Sequence, residues 1–428
     1  MKISIREFDL IEHQPKPLDI SIVMPCLNEV QCLSHCIANA REALARIAAD
    51  YGLVGEIVIA DNGSTDGSQV LAESLGARVV TVSAKGYGAA LIGGCQAAFG
   101  RYILMGDADG SYDFTDGVAM IGRLIDGADL CMGSRFKGGI APGAMPWKNR
   151  YIGNPALTGI LNLFFRAGIE DAHCGLRAIS RSAFHALGLS GCGMEFASEM
   201  VIKAALKHMR IDEVPATLSR DLRDRPPHLR PWRDGWRHLR YLLMLSPTWV
   251  FGIPALAAIL MALVIFGGAG LYATRLLHGT PFFGTSWTIV GGFLFTLGHF
   301  AALMSLATHF HGVRKGYRVL SPRLGGLGRL LTLESALVAG TALIAASACA
   351  FLTIGLGWSA HGFAALHSIL PLTMAAVAGV VGVQTALGGF LLAIIADHSN
   401  RLAPDLIRIP ELAVNSSRLD LSGLALVP

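Results

Sequence analysis

The sequence predicts an α/β domain with a mostly parallel sheet, followed by an all-α region of four membrane-spanning helices. Short apolar runs alternate with helical patterns through the first half, as βαβ units do. A polar cluster closes each of the first four apolar runs, and open α/β sheets bind ligands at strand carboxyl ends. From about residue 248 charge nearly vanishes from long blocks. Only 15% of all residues are charged, against about 25% in soluble proteins, and mean hydropathy is +0.50.

The first strand is expected at 20–24 and stops at Pro25, before Cys26-Leu27-Asn28-Glu29. An alanine-rich helix follows at 32–49. The second strand, 56–60, ends in Asp61-Asn62-Gly63-Ser64-Thr65-Asp66-Gly67 and leads to a helix at 67–75. The third, 77–82, is followed by Lys85-Gly86-Tyr87-Gly88, which opens a helix at 88–99. Arg101-Tyr102-Ile103-Leu104-Met105 is the fourth, ending in Gly106-Asp107-Ala108-Asp109-Gly110. A further strand at 130–133 leads to Ser134-Arg135 and a Gly/Pro-rich loop at 138–146. Trp147-Lys148-Asn149-Arg150-Tyr151 precedes an amphipathic helix at 152–166. Residues 171–177, Asp-Ala-His-Cys-Gly-Leu-Arg, carry no element. A helix at 195–207 and a strand at 211–215 precede Thr217, Arg220 and Arg223.

Asp107 and Asp109 are one residue apart, so at a strand end they project to the same side. Two carboxylates are too few for a protein-only cage. They suit Mg²⁺ or Mn²⁺ that also binds substrate phosphates. Together with Pro25, Asn28 and Glu29, with Asp61 and with Lys85, they describe a nucleotide crevice. Gly86-x-Gly88 is not a dinucleotide fingerprint, because position 91, where the third glycine belongs, is Leu.

Residues 220–240 carry seven arginines, with Trp232, Trp236 and His238 among them. This pattern reads as an interfacial helix, at 229–247, that touches anionic lipid head groups. Apolar blocks of membrane length follow at 249–273, 287–308, 335–357 and 372–396. Arg314, Lys315, Arg318, Arg323 and Arg329 fall between the second and third, Arg275 alone between the first and second, and no Lys or Arg between the third and fourth. The positive-inside rule then places the 309–334 loop, both termini and the catalytic region, 1–228, in the cytoplasm. His299 and His309 are read as structural or interfacial, and residues 398–428 as a cytoplasmic tail.

A formal net charge of +4 with no nucleic-acid motif argues against nucleic acid as a partner. Eight cysteines contain no Cys-x-x-Cys pair and read as small buried side chains in a reducing compartment. Met1 to Ile20 lacks the continuous apolar core of a signal peptide.

With these residues in hand, the chain resembles the inverting family-two glycosyltransferases of the GT-A fold, a Rossmann-like arrangement. The resemblance rests on 23–29, 60–67, 85–88 and Asp107-Ala108-Asp109, and covers roughly the first half. Gly133-Ser134-Arg135, residues 171–177 and the helix bearing Glu199 resemble the dolichol-phosphate mannose synthases and their bacterial polyprenyl-phosphate relatives. The resemblance implies that Pro25, Asn28, Glu29, Asp61 and Lys85 bind the nucleotide sugar, and that Asp107 and Asp109 bind the metal on its diphosphate. It implies that Arg135, Arg150 and Arg177 meet donor or acceptor phosphates and that Arg220 belongs to a mobile acceptor loop; Arg150, Arg177, Arg220 and Arg223 are the groups expected at the acceptor phosphate. Asn62 departs from the pattern, since many relatives carry a second Asp there.

A lipid monophosphate acceptor is already an anion near neutral pH and needs no general base. Bringing two anionic phosphates together needs arginine, whose fork matches phosphate geometry. The expected reaction is therefore transfer of one hexose from a UDP- or GDP-sugar to a polyprenyl phosphate at a cell inner membrane, with inversion. Asp109, Arg135, Arg177 and Arg220 are the expected catalytic groups. Membrane lipids are expected partners, and a homo-oligomer is compatible with the membrane region. Two alternatives stay open. A processive polysaccharide synthase shares the first half, but its Gln-x-x-Arg-Trp motif is missing. A lipid flippase or transporter with a degenerate domain would carry more intramembrane charge.

Overall fold

A computed structural model describes residues 18–224, 231–274, 276, 284–319, 332–364, 366 and 368–396. The chain divides after Val250 into two compact units. Expectations for residues 1–17, for Arg225 and Arg230, for Arg275, Arg323 and Arg329, and for the tail after 396 lie outside the described residues.

The first unit is built on a seven-stranded sheet. Its strands are β1 (Ile20–Cys26), β2 (Gly55–Asp61), β3 (Arg78–Thr81), β4 (Tyr102–Met105), β5 (Leu130–Ser134), β6 (Arg177–Ser180) and β7 (Ile211–Pro215), in the order β3-β2-β1-β4-β6-β5-β7. β1 pairs in parallel with β2 and β4, β2 with β3, and β5 with β7. β6 was not expected and is antiparallel to both β4 and β5. The helices are α1 (Val30–Tyr51), α2 (Ser68–Ser74), α3 (Tyr87–Ala97), α4 (Gly117–Ile125), α5 (Arg135–Gly138), α6 (Asn154–Phe165), α7 (Arg181–Leu187), α8 (Phe196–Leu206) and α9 (Pro231–Met244). Of these, α4, α5 and α7 were not expected.

Both faces of the sheet are covered, so its central strands are apolar at nearly every position. Ile20, Ile22, Met24, Ile57 and Ile59 pack with Leu33, Ile37, Ala40 and Ile47 of α1 and with Met120 and Ile121 of α4. α3 packs on β1 and β2. Six cysteines are buried as expected, whereas Cys192 and Cys349 are exposed. In α9 the apolar spacing puts His238 and Leu242 inside and leaves Trp232 93% exposed.

The second unit contains α10 (Ile253–Ala273), α11 (Thr285–Arg314), α12 (Leu333–Ala360) and α13 (Leu370–Ile395). Four helical stretches of the described residues are long and apolar enough to cross a membrane: Thr248–Ala273, Thr285–Arg314, Leu333–Ala360 and Leu370–Ile395. Lipid gives helices no hydrophobic drive to associate, so small residues and polar contacts hold them together. A Cβ on Gly340 would lie 2.7 Å from Gly382 O, and one on Gly382 2.7 Å from Gly340 O. Ser347 Oγ donates to Ala375 O at 2.7 Å. His299 meets Gln384 at 2.9 Å and Thr385 at 3.4 Å.

Candidate active site

The crevice opens where β1 and β4 part. Their pairing ends at Val23 and Met105. Gly106 N–H donates to Val23 O, and Asn62 N–H donates to Cys26 O on the other side of β1. Alternation therefore points the nitrogen of Pro25 toward β4, which has already left the ladder, so its missing N–H costs no sheet bond. β1 leads by way of α1 to β2 on one side, while β4 lies on the other, which makes this gap the topological switch point.

The loops at the carboxyl ends of β1 and β2 are tied together. Asn28, at φ 58°, accepts from Thr65 N–H at 2.8 Å and donates from its own N–H to Ser64 Oγ at 2.9 Å. Asp66 accepts from Val30 N–H at 3.0 Å, so it caps α1 from a neighbouring loop. Asp61 is fully buried and accepts from Gly63 N–H, Ser64 N–H and Gln69 Nε2. Burial works against its charge, but these hydrogen bonds outweigh it and hold the carboxyl below the usual carboxylate range. Asn62 donates to Val82 O and Ala84 O and accepts from Gly86 N–H. Lys85 Nζ donates to Asn62 O at 2.6 Å. The departure at position 62 is thus a brace for the 82–86 turn.

Asp107 and Asp109 follow β4. Asp109 accepts from Ser111 N–H at 2.9 Å, and its other oxygen accepts from Arg223 Nη2. Asp107 takes a hydrogen bond from the Tyr87 hydroxyl, while its Oδ1 is buried with no partner. Burial, and then the Asp109 charge, push the Asp107 carboxyl up to about 6. The two carboxylates repel, and one oxygen is left over. Both facts suit a divalent cation, which Asp107 and Asp109 would hold. Among the described residues no group of three or more His, Cys, Asp or Glu stands ready to hold a metal. A cation here would therefore draw further ligands from a bound phosphate. Gly175 is packed so closely that a Cβ there would sit 2.7 Å from Asp107 Oδ2 and 2.8 Å from the Tyr112 ring.

The arginines have protein partners in the structure. Arg135 was expected at a phosphate, but its Nε and Nη2 grip Asp171 at 2.6 and 2.7 Å, with both side chains buried. Arg177 is 1% exposed and donates to Cys174 O and Ala197 O. Both hold the 171–177 segment in place. Arg223 was expected at the acceptor phosphate, yet it contacts Asp109, Glu29 at 3.3 Å and Asp221 at 3.4 Å. Arg220 is exposed and donates to Pro142 O at 2.6 Å, and Arg150 lies half-buried over the Tyr151 ring.

Other groups gained a place that sequence reasoning had not assigned. Tyr87 and Tyr112 flank Asp107, and Tyr87 already stood within the Lys85–Gly88 signal. Ser198 Oγ links His173 at 3.3 Å to His238 at 2.8 Å, which joins the 171–177 segment through α8 to α9. Burial, and then the nearby cations, hold His173 well below its ordinary range. Buried Glu199 pairs with Lys203 at 2.7 Å and accepts from Ser190 and Gly191 N–H.

The chain is similar to known proteins over both of its units. Residues 21–188 match Glycosyl transferase family 2, and residues 306–396 match the Glycosyltransferase family 2 C-terminal transmembrane region. The low-salt glycan biosynthesis hexosyltransferase Agl6 of Haloferax volcanii is 35% identical over 376 residues, 87% of this chain and 88% of the relative. The chain belongs to glycosyl transferase family 2. This family-two glycosyltransferase is a membrane protein, with four apolar helices of membrane length among its described residues. It is also similar to the dolichyl-phosphate hexose transferase of Haloferax volcanii, 28% identical over 46% of this chain and 81% of the relative. The polyprenol monophosphomannose synthase of Mycolicibacterium smegmatis is 26% identical over 46% of this chain and 76% of the relative.

Proposed function

We propose that this glycosyltransferase moves a single hexose from a UDP- or GDP-sugar to a polyprenyl phosphate, dolichyl or undecaprenyl, with inversion. The reaction would take place at the cytoplasmic face of a cell inner membrane. The observation that carries the proposal is the Asp107–Asp109 pair, with its unpartnered Asp107 oxygen, at the switch point of a family-two domain joined to a transmembrane region. Relatives named for dolichyl-phosphate and polyprenol substrates support a lipid phosphate as acceptor.

Pro25, Asn28, Glu29, Asp61 and Lys85 border the nucleoside side of the crevice, and Asp107 and Asp109 would hold Mg²⁺ or Mn²⁺. A bound divalent ion would stabilise the negative charge that develops on the departing diphosphate. Arg150 and Arg220 would meet the acceptor phosphate. Arg135 and Arg177 act through the segment they hold. The phosphate oxygen attacks without a base because the phosphomonoester is ionised near neutral pH, its second pKa lying at about 6. α9 would lie at the bilayer surface, with Trp232 and Trp236 in the head-group layer.

The test uses the full chain in detergent with Mg²⁺ or Mn²⁺, dolichyl or undecaprenyl phosphate, and a panel of UDP- and GDP-sugars. One donor should leave a single sugar on the lipid phosphate. Asp109→Asn should abolish that product while the chain stays folded, as near-ultraviolet circular dichroism would show. No lipid product from any donor excludes the proposed reaction, and full activity of Asp109→Asn excludes the metal assignment.

A further inference from the structure

Arg223 sits where the chemistry calls for a cation. Its guanidinium reaches Asp109, Glu29 and Asp221, and the three side chains of the Arg223–Asp109–Glu29 cluster are 14%, 10% and 9% exposed. Poorly solvated carboxylates need a counter-charge. The backbone fixes the source of that charge. Ser219 N–H donates to Ser111 O at 2.8 Å, and Leu222 N–H donates to Asp109 O at 2.9 Å. The 218–224 segment therefore lies as a strap along the Asp107–Gly110 loop, and Arg223 closes its end onto Glu29.

The neutralisation is incomplete. Arg223 takes up one oxygen of Asp109 while Asp107 Oδ1 receives nothing. One guanidinium carries a single charge and cannot serve both aspartates, whereas a divalent ion can. A divalent ion on Asp109 would also repel the guanidinium beside it, which weakens the hold of Arg223. We propose that Arg223 is the resident counter-cation of Asp109 and Glu29, and that it yields this position to the divalent ion, so that metal loading frees the 218–224 strap. The inference rests on the metal assignment proposed above. It also reconciles the two placements of Arg223, since its fork becomes available to an acceptor phosphate only after the metal has arrived.

The test is Mn²⁺ binding to the full chain in detergent, without nucleotide or lipid, followed by electron paramagnetic resonance. Arg223→Gln should bind Mn²⁺ about tenfold more tightly than wild type, which corresponds to about 1.4 kcal/mol. Arg223→Lys keeps the charge and should stay near wild type. In the wild-type chain, saturating Mn²⁺ should raise amide hydrogen exchange at 218–224. Equal or weaker binding by Arg223→Gln, or unchanged exchange in the strap, overturns the inference. If wild type binds Mn²⁺ and Arg223→Gln matches it, the metal assignment survives and only the exchange role falls. A wild-type chain that binds no Mn²⁺, even after UDP or GDP is added, overturns both.

Discussion

Replacing Asp171 with alanine decides whether Arg135 belongs to the frame or to the reacting site. Asp171 is fully buried and accepts four hydrogen bonds: Arg135 Nε at 2.6 Å, Arg135 Nη2 at 2.7 Å, Arg135 N–H at 3.1 Å and His173 N–H at 3.3 Å. Truncation leaves the Arg135 guanidinium buried without its counter-ion. Breaking one side of a buried pair costs about 3–5 kcal/mol. For a unit of this size each kcal/mol moves the midpoint by about 2–4 °C, so a fall of about 6–20 °C is expected. Near-ultraviolet circular dichroism of the detergent-solubilised chain measures it. The double variant Asp171→Leu with Arg135→Met removes both charges and should recover much of the loss, because the penalty lies in the orphaned partner rather than in the absence of the pair. A midpoint shift below about 3 °C for Asp171→Ala, at the same conversion, would show that Arg135 is not held mainly by this carboxylate and would return it to the phosphate-binding role.

Three further outcomes follow from the packing and the charges. Burial opposes the charge on Glu56, but bonds from Arg78, Phe99 N–H and Ser21 outweigh it and hold the group below its ordinary 4.5. Its folded value lies below its unfolded value, so its stabilisation is full above 4.5 and is lost as pH falls through the folded value. Glu56→Gln should therefore melt lower than wild type at pH 7, with the gap closing below pH 4.5; a gap that stays constant into acid refutes the linkage. Gly175→Ala drives a methyl group against Asp107 and Tyr112 and should lower kcat/KM about 100-fold, the scale of a small displacement at a reacting centre. Unchanged kinetics would show that the segment relaxes without moving Asp107. Gly382→Val overpacks the contact with Gly340 and Ile344 and should cost about 1–3 kcal/mol of the membrane unit's stability in an SDS titration. No shift would mean that α12 and α13 do not depend on that approach.

The parallel strands and the polar clusters at their ends were legible in the sequence because their signals are local. Each parallel strand is a short apolar run, and each polar cluster follows directly on its own strand. Asp107 and Asp109 needed only their spacing. β6 escaped notice because it has four residues, opens on buried Arg177 and follows a polar stretch, so nothing local marks it as a strand. The partners of the arginines were hidden for a related reason. Whether a guanidinium meets phosphate or protein depends on its partner, and Asp171 lies 36 residues from Arg135, while Asp109 lies 114 residues from Arg223. A single sequence shows the charge but not its neighbour. The tie from His173 through Ser198 to His238 was hidden in the same way.

The amide of Asn62 leaves a signature on how the site can change. Its nitrogen gives both hydrogens to carbonyl oxygens, and its oxygen takes the Gly86 N–H. A carboxylate at position 62 could keep the last contact only. It would face Val82 O and Ala84 O with like partial charges, and the turn that carries Lys85 would have to be redrawn. Position 62 and the 82–86 turn are therefore one inherited unit. Grafting the acidic version of this loop into the chain would succeed only if the partner turn travelled with it.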